Sequence, residues 1–148
     1  MTNQKFKKEL NSLGAKAKEA KEFLLNSSVD TRNDALKFAC EEIHKNRSDL
    51  FKENEKDLEE AKKLDLQNSF MDRLELNEKR VDSMIDGLNK VINLNDPIGE
   101  LEGMNPSPSG FKVSKMRVPL GTIGIIYESR PNVTADASAL CIKSGNAS

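Results

Sequence analysis

The 148-residue chain is poor in aromatic and sulfur side chains: it has no tryptophan, one tyrosine, one histidine and two cysteines. Cys40 and Cys141 are too few for a disulfide framework or a cysteine metal site, so we expect two buried, reduced thiols. No run of eighteen apolar residues is present, which excludes a transmembrane helix. The charged N-terminal sequence lacks the apolar core of a secretory signal, and we therefore expect a cytoplasmic protein.

An excess of charge of one sign is also missing. The 23 basic and 24 acidic residues nearly cancel and leave a formal net charge of -1. Such a chain has no basic field that would attract nucleic acid or an anionic membrane, so we expect neither partner. The acidic run at 53–60 alternates with lysines and is typical of a solvated helix face. The single histidine, His44, lies in charged sequence without a nucleophile near it and predicts no site.

The composition divides the chain near residue 95. Of residues 1–90, 37 are charged, against 10 of residues 91–148, and all five prolines and six of the eight glycines lie after residue 90. Charged sequence without proline favours solvated helices, whereas apolar sequence broken by glycine and proline favours strands and turns. We therefore predict an α/β chain whose first zone is helical and whose second zone contains strands.

The first zone shows apolar stripes with the spacing of helices. Ser28 is placed to cap the second helix, with Asp30 in its first turn, and Asn77 is placed to cap the last one. The stripe that follows Asn77 is the most regular in the chain. The stripes are Phe6, Leu10, Leu13, Ala17, Ala20 and Leu24; then Leu36, Ala39, Cys40 and Ile43, continued after a charged break by Phe51, Leu58 and Ala61; and finally Val81, Met84, Ile85, Leu88, Val91 and Ile92.

The second zone begins with a predicted β-hairpin. Its strands are 98–102 and 111–118, and they flank an octapeptide, 103–110, that has a glycine at each end and two prolines between. That composition is typical of a loop. Phe111 and Val113 alternate with polar residues, as in a strand that exposes one face.

Residues 121–127 are almost continuously apolar, which predicts a parallel strand buried on both faces. Pro131 suits the first position of a following helix, and Gly145 suits its end. The strand needs a parallel partner that should begin near Asn146, yet the sequence ends at Ser148. We therefore expect a chain cut within a domain, and we expect the unpaired strand to cause aggregation, dimerisation or disorder after about residue 96. The predicted apolar face of the helix is Val133, Ala137, Leu140 and Cys141.

Polar residues at 128–132 lie between this strand and this helix, and ligands of open α/β sheets bind beyond the carboxyl ends of strands. Asn132 offers an amide N–H to a developing oxyanion, and Arg130 offers a guanidinium to a phosphate or carboxylate. The alternative interpretation is a capping loop without a functional role. Gly121 and Gly124 do not form a dinucleotide fingerprint, because a third glycine is missing and both lie within the strand.

The segment 127–136, YESRPNVTAD, closely resembles the γ-glutamyl phosphate reductase family, also called glutamate-5-semialdehyde dehydrogenases. A looser pattern, in which glycines 121 and 124 precede Asn132, is shared with the wider aldehyde dehydrogenase superfamily. The resemblance covers nearly the whole chain and includes Asp72-Arg73-Leu74, Gly87-Leu88, Asp96-Pro97-Ile98-Gly99-Glu100 and the segment 117–148.

The resemblance implies an aldehyde dehydrogenase-like fold. N-terminal helices would occupy residues 1–95, a hairpin that joins the oligomerisation element would occupy 96–120, and the first strand and helix of the NADP-binding domain would occupy 121–148. It also implies a homo-oligomer for the intact enzyme.

The activity implied by the resemblance is the NADPH-dependent reduction of γ-glutamyl phosphate, a small molecule, to glutamate-5-semialdehyde and phosphate in proline biosynthesis. A cysteine thiolate displaces phosphate, and hydride reduces the resulting thioester. Neither Cys40 nor Cys141 matches that nucleophile, which lies far downstream in the family, so we expect the 148-residue chain to be inactive alone. By the resemblance, Asn132 stabilises the oxyanion, and Ile126, Tyr127, Glu128 and Ser129 lie along the cofactor. Arg130 is expected to contact the substrate from its position after the strand alone.

A second hypothesis comes from a different class of protein. The chain would then be a non-catalytic helical module, derived from that enzyme, that self-associates through the apolar stripe of its first helix. The stripe is shorter than the three or four heptads that indicate a coiled coil, and it is equally typical of an ordinary packed helix.

Overall fold

The computed structural model describes residues 3–106 and 108–148, which form helices, one hairpin and a final helix. None of the helices in this part of the chain is both long enough and apolar enough to cross a lipid bilayer. The elements are α1 (Asn3–Leu25), α2 (Val29–Lys45), α3 (Arg47–Lys63), α4 (Asn68–Leu74), α5 (Glu78–Ile92), β1 (Leu101–Pro106), β2 (Lys112–Met116) and α6 (Pro131–Lys143).

Both predicted helix caps are confirmed. The Ser28 hydroxyl accepts a hydrogen bond from the Thr31 backbone N–H at 3.1 Å at the start of α2. The Asn77 side-chain oxygen accepts one from the Arg80 N–H at 3.0 Å at the start of α5. Each cap satisfies a backbone donor that has no partner within its own helix.

The hydrophobic core forms where α2, α5 and α6 contact one another. The stripes predicted for α2 and α5 are confirmed as the faces that meet there, and Leu36, Val81 and Leu88 are fully buried. The α1 helix also forms as predicted, but its stripe is open to solvent: Phe6, Leu10 and Leu13 are each more than half exposed. Periodicity therefore identified α1, α2, α3 and α5, although it did not show which stripes are buried and did not predict the short α4.

The buried face of α6 differs from the prediction. Ala135, Ala139 and Ile142 pack against the core, whereas Leu140 is 53% exposed. The predicted face of Val133, Ala137, Leu140 and Cys141 is therefore wrong, although Cys141 itself is buried. Both sets of residues have helical spacing, so periodicity could not choose between them. The alanines face the core because their small side chains let α6 approach α5 closely.

Two buried cations join the helical core to its surroundings. Arg32, which is 3% exposed, forms an ion pair of 2.7 Å with Asp96 in the segment after α5. Lys143 at the end of α6 is equally buried and donates to the Asn33 side-chain oxygen and the Ile92 carbonyl, both at 2.8 Å. Because a buried charge without partners is costly, these bonds fix the end of α6 and the segment after α5 to α2.

The predicted antiparallel hairpin is confirmed, but its boundaries differ. Residues 103–106, predicted as loop, belong to β1, while Ser107 of the predicted loop lies outside the described residues. The expectation that the second strand buries one face is wrong for this chain, because every residue of β2 is exposed. The register shifts between Glu102 and Asn105, and this irregularity lets the strand continue into the glycine- and proline-rich segment.

The strand predicted over 121–127 is wrong in extent, since only a single parallel bridge joins Thr122 to Ala147. Ile126 is completely exposed. The Ile123 N–H donates to the Ala147 carbonyl at 2.8 Å, and the Ala147 N–H donates to the Gly121 carbonyl at 2.9 Å. The returning partner thus begins where the sequence indicated. A strand needs a ladder of bonds to propagate, and these two hydrogen bonds form the first step of such a ladder.

Truncation of Leu36 tests whether the contact between α2 and α5 carries the stability of the helical core. We expect Leu36→Ala to lower the free energy of unfolding by about 2–5 kcal/mol, because it removes buried methyl groups and leaves a cavity. Phe38→Ala on the same helix is the control, since Phe38 is 61% exposed and its loss should cost at most about 0.5 kcal/mol. Urea denaturation measures both, and equal losses would contradict this assignment of the core.

Candidate functional site

A cleft of about 350 Å³ opens between the start of α6 and the wall formed by α4, the α4–α5 connection and α5. Two residues singled out in the sequence, Arg130 and Asn132, line it together. The remaining lining residues are Asp72, Arg73, Glu75, Leu76, Arg80, Ser83, Met84, Pro131 and Asp136. The cleft therefore brings the segment around 127–136 against the segment around 72–74, which lie far apart in the sequence.

The first turn of α6 positions the asparagine. Pro131 occupies the beginning of the helix, as predicted, because its ring fixes the backbone angle that a helix requires and the missing N–H is not needed there. Asn132 follows, and its amide nitrogen donates to the Asp136 carboxylate at 2.9 Å. An amide nitrogen carries two N–H groups, so one remains for a ligand in the cleft.

The opposite wall is held by Arg80 and Asn54. The Arg80 guanidinium donates to the Asp72 carboxylate and to the Glu75 carbonyl, both at 2.8 Å, and it also contacts the Asp72 carbonyl. From α3, the buried Asn54 donates to the Leu74 carbonyl at 2.8 Å and accepts from the Leu76 N–H at 2.6 Å. These bonds satisfy the irregular backbone that joins α4 to α5, and so fix the segment that carries Arg73.

The charges of the cleft leave two cations available to a ligand. Arg80 is already paired with Asp72 and Glu75, and the carboxylate of Asp136 is bonded to the neutral amide of Asn132. Among the described residues, Arg73 and Arg130 make no ion pair; the Arg73 guanidinium lies 6.0 Å from the centre of the Phe70 ring. A guanidinium binds carboxylate or phosphate oxygens through paired hydrogen bonds, so the cleft is suited to an anion.

The predicted cofactor residues lie outside this cleft, on the exposed approach to α6. Ile126 and Glu128 are exposed, and the Tyr127 hydroxyl shares a hydrogen bond of 2.5 Å with the Thr134 hydroxyl. Ser129 has a φ of 53°, and its hydroxyl oxygen is buried without a partner among the described residues. The structure therefore joins Arg130 and Asn132 but separates both from 126–128.

Sequence analysis missed several lining residues. Arg73 belongs to the Asp72-Arg73-Leu74 motif of the resemblance, but nothing local assigned that motif a role. Asp136 lies four residues after Asn132, and that spacing places two side chains on one helix face. The sequence therefore contains a signal that places Asp136 beside Asn132.

Neither cysteine lies at the cleft. Cys40 and Cys141 are both buried in the helical packing and neither lines the cleft. Burial is the largest cause of a raised pKa of the Cys40 thiol, and the neighbouring Glu41 raises that pKa further. A raised pKa lowers the fraction of thiolate at neutral pH, whereas catalytic cysteines have a lowered pKa and partial exposure. In the part of the chain that the structure describes, no group of His, Cys, Asp and Glu could hold a metal ion.

Thiol alkylation tests whether Cys40 and Cys141 are buried structural thiols. At neutral pH, iodoacetamide should label Cys40 and Cys141 far more slowly in the native chain than in concentrated urea, because burial limits access and the raised Cys40 pKa disfavours its thiolate. Peptide mass spectrometry measures each site separately. Labelling of either cysteine in the native chain at its rate in urea would contradict the structural role.

No family model matches the chain. Among curated proteins, it is 50% identical to a γ-glutamyl phosphate reductase of Clostridium botulinum over 139 residues, which are 94% of this chain and 34% of that protein. It is 49% identical over 139 residues to the γ-glutamyl phosphate reductase of Carboxydothermus hydrogenoformans, with the same coverage. The chain is a homologue of the γ-glutamyl phosphate reductases. It spans about a third of the length of the curated relatives it matches.

Solved structures agree with this homology. The γ-glutamyl phosphate reductase of Thermotoga maritima matches with a TM-score of 0.86 and 40% identity, over 93% of this chain and 33% of that one. The same enzyme of Saccharomyces cerevisiae matches with a TM-score of 0.84 and 31% identity, over 91% and 34%. A Bacillus subtilis protein described as an aldehyde dehydrogenase has a TM-score of 0.67 at 21% identity, over 94% and 28%, and so shows the fold alone. The predicted aldehyde dehydrogenase-like fold is confirmed.

Proposed function

We propose that the protein containing this chain reduces γ-glutamyl phosphate to glutamate-5-semialdehyde and phosphate with NADPH. One observation carries the proposal: Arg130 and Asn132 meet Arg73 in one cleft, and they come from two stretches that resemble this family. The homology to γ-glutamyl phosphate reductases over 94% of the chain supports it.

Asn132 is the proposed oxyanion donor. When a thiolate adds to the carbonyl of an acyl phosphate, the oxygen becomes negative, and an N–H fixed beforehand stabilises that charge. Loss of phosphate with its bonding electrons then leaves a thioester. Addition of hydride to the thioester carbonyl, followed by cleavage of the C–S bond and release of the thiolate, gives the aldehyde. Arg130 and Arg73 are the proposed partners of the substrate, which carries both a phosphate and a carboxylate.

The nucleophilic cysteine is proposed to lie outside these 148 residues. Cys40 and Cys141 are buried in helical packing and do not line the cleft that holds Asn132. A thiol that cannot reach the carbonyl cannot form the thioester, whatever its acidity. This chain would therefore supply the oxyanion donor and the anion-binding residues but not the nucleophile.

Residues 126–129 are the proposed edge of the NADPH site. Ile126 is completely exposed, and Glu128 is exposed nearby, so both side chains are open to a cofactor. The Ser129 hydroxyl at the end of the segment is buried and has no hydrogen-bond partner among the described residues. These observations fit a nicotinamide cofactor, which supplies the hydride when it is bound.

The proposed division of the chain follows the family. Residues 1–95 form the helical segment, 96–120 the hairpin of a homo-oligomeric interface, and 121–148 the start of the NADP-binding domain in a cytoplasmic enzyme. The exposed side chains of Phe111 and Val113 support an interface at the hairpin. The parallel bridge between Thr122 and Ala147 supports the start of a parallel sheet.

Substitution of Asn132 tests the proposed function. In the full-length protein, Asn132→Ala should lower kcat by about 100- to 1,000-fold, because the transition state loses one oxyanion donor. The assay follows NADPH oxidation with γ-glutamyl phosphate, or phosphate-dependent NADP reduction with glutamate-5-semialdehyde. Asn89→Ala, an exposed position on α5, is the control and should retain activity.

Absence of turnover by the full-length parent would overturn the proposal. The 148-residue chain is expected to give no turnover by itself, since the proposed nucleophile lies outside it. Turnover by this chain that disappears in its Asn132→Ala variant would contradict that expectation and would require a nucleophile within the 148 residues.

The exposed stripe of α1 favours the second candidate function, a self-associating helical module. Phe6, Leu10 and Leu13 present one apolar face to solvent. Covering such a face with a partner removes apolar surface from water and is therefore favourable. This candidate predicts that the 148-residue chain dimerises reversibly and that Leu10→Asp makes it monomeric. Ser12→Asp, on the other side of α1, should leave the dimer intact. Sedimentation equilibrium measures the oligomeric state of each variant, and a monomeric parent chain would exclude this candidate.

A further inference from the structure

The side chain of Asp136 lies between Asn132 and α5. Its Oδ2 accepts the hydrogen bond from Asn132 Nδ2 at 2.9 Å, one helical turn away. Its Oδ1 lies over Gly87 of α5, where a Cβ atom would come within 3.3 Å of that oxygen. Among the described residues, no arginine or lysine forms an ion pair with Asp136, although Arg80 and Arg130 line the same cleft. Within the described part of the chain, the hydrogen-bond partner of this carboxylate is therefore the amide of Asn132.

This bond decides which end of the asparagine amide faces the cleft. An ionised carboxylate only accepts hydrogen bonds, so the nitrogen of the Asn132 amide, and not its oxygen, must face Asp136. The second N–H of that nitrogen is then held in a fixed direction. Without the carboxylate, the amide can rotate by half a turn and present its oxygen, which repels an oxyanion instead of stabilising it.

We propose that Asp136 is a positioning residue that holds Asn132 as a hydrogen-bond donor, and that Gly87 provides the space in which its carboxylate sits. The inference rests on the proposed function, because it concerns the oxyanion donor of that reaction. Asp136 is not proposed to contact the substrate or the cofactor. Its effect reaches the reaction only through the orientation of Asn132.

Substitutions at position 136 in the full-length protein test the positioning role of Asp136. Asp136→Ala should lower kcat by about tenfold or more with little change in the KM for γ-glutamyl phosphate, because a misoriented donor affects the transition state more than substrate binding. Asp136→Asn keeps the size of the side chain but can donate as well as accept, so it no longer fixes the Asn132 nitrogen and should recover only part of the lost kcat. Asp86→Ala, which removes an exposed carboxylate beside Gly87, is the matched control and should leave kcat unchanged.

Substitution of Gly87 separates positioning from stability. Alanine is the better helix former, so Gly87→Ala should maintain or raise Tm, yet its methyl group should displace the carboxylate and lower kcat by about two- to fivefold. Gly14→Ala is the control, because a Cβ atom at Gly14 in α1 meets nothing within 4 Å. In the Asp136→Ala background, Gly87→Ala should lower kcat no further, since the group it displaces is already absent.

The possible outcomes are distinguishable. A parent enzyme without activity overturns the proposed function. An active parent whose Asn132→Ala variant is impaired, but whose Asp136→Ala variant keeps its kcat, overturns only the positioning role. If Asp136→Ala lowers Tm and kcat together and Asp136→Asn returns both to the values of the parent, the side chain has a packing role and the inference is wrong. Reduced kcat with unchanged Tm in Gly87→Ala, absent in the Asp136→Ala background, supports it.

Discussion

The close approach of α6 to α5 is the contact on which the cleft depends. Small residues make it possible: Ala135 and Ala139 face the core from α6, and Gly87 leaves room for Asp136 on the α5 side. The other end of α6 is fixed by the buried Lys143. A helix held at both ends places its first turn against the α4–α5 connection with little freedom, and the first turn is where Asn132 lies.

Polar bonds, more than apolar area, determine the shape of the opposite wall. The segment between α4 and α5 is short and irregular, so its backbone groups need partners from elsewhere. Asn54 from α3 and Arg80 from α5 satisfy one carbonyl and one N–H of this segment, and they also satisfy two carbonyls in the last turn of α4. These bonds engage Arg80, whereas Arg73 makes no ion pair among the described residues. The network that shapes this wall therefore leaves Arg73 as the cation of the wall that can bind a ligand.

Apolar side chains are open to solvent on the stripe of α1, on the hairpin and in the segment that contains Ile126. Exposed apolar area of this extent marks surfaces that other elements normally cover. The chain spans about a third of its curated relatives, and its neighbours in fold are larger molecules. The parallel bridge between Thr122 and Ala147 is likewise an element that needs neighbours. It sets the direction of a parallel sheet but is not itself an extended ladder.

The sequence by itself determined the local structure. Apolar periodicity and capping residues identified α1, α2 and α5 with their caps Ser28 and Asn77, and Pro131 marked the start of α6, because these signals act within one or two turns of chain. It also indicated Arg130 and Asn132 as candidates. Only the tertiary structure decided which face of α6 is buried, that residues 121–127 form a single bridge, and that Arg73 and Asp136 join the cleft. Those outcomes depend on packing and hydrogen bonds between segments distant in the chain, which local periodicity does not encode.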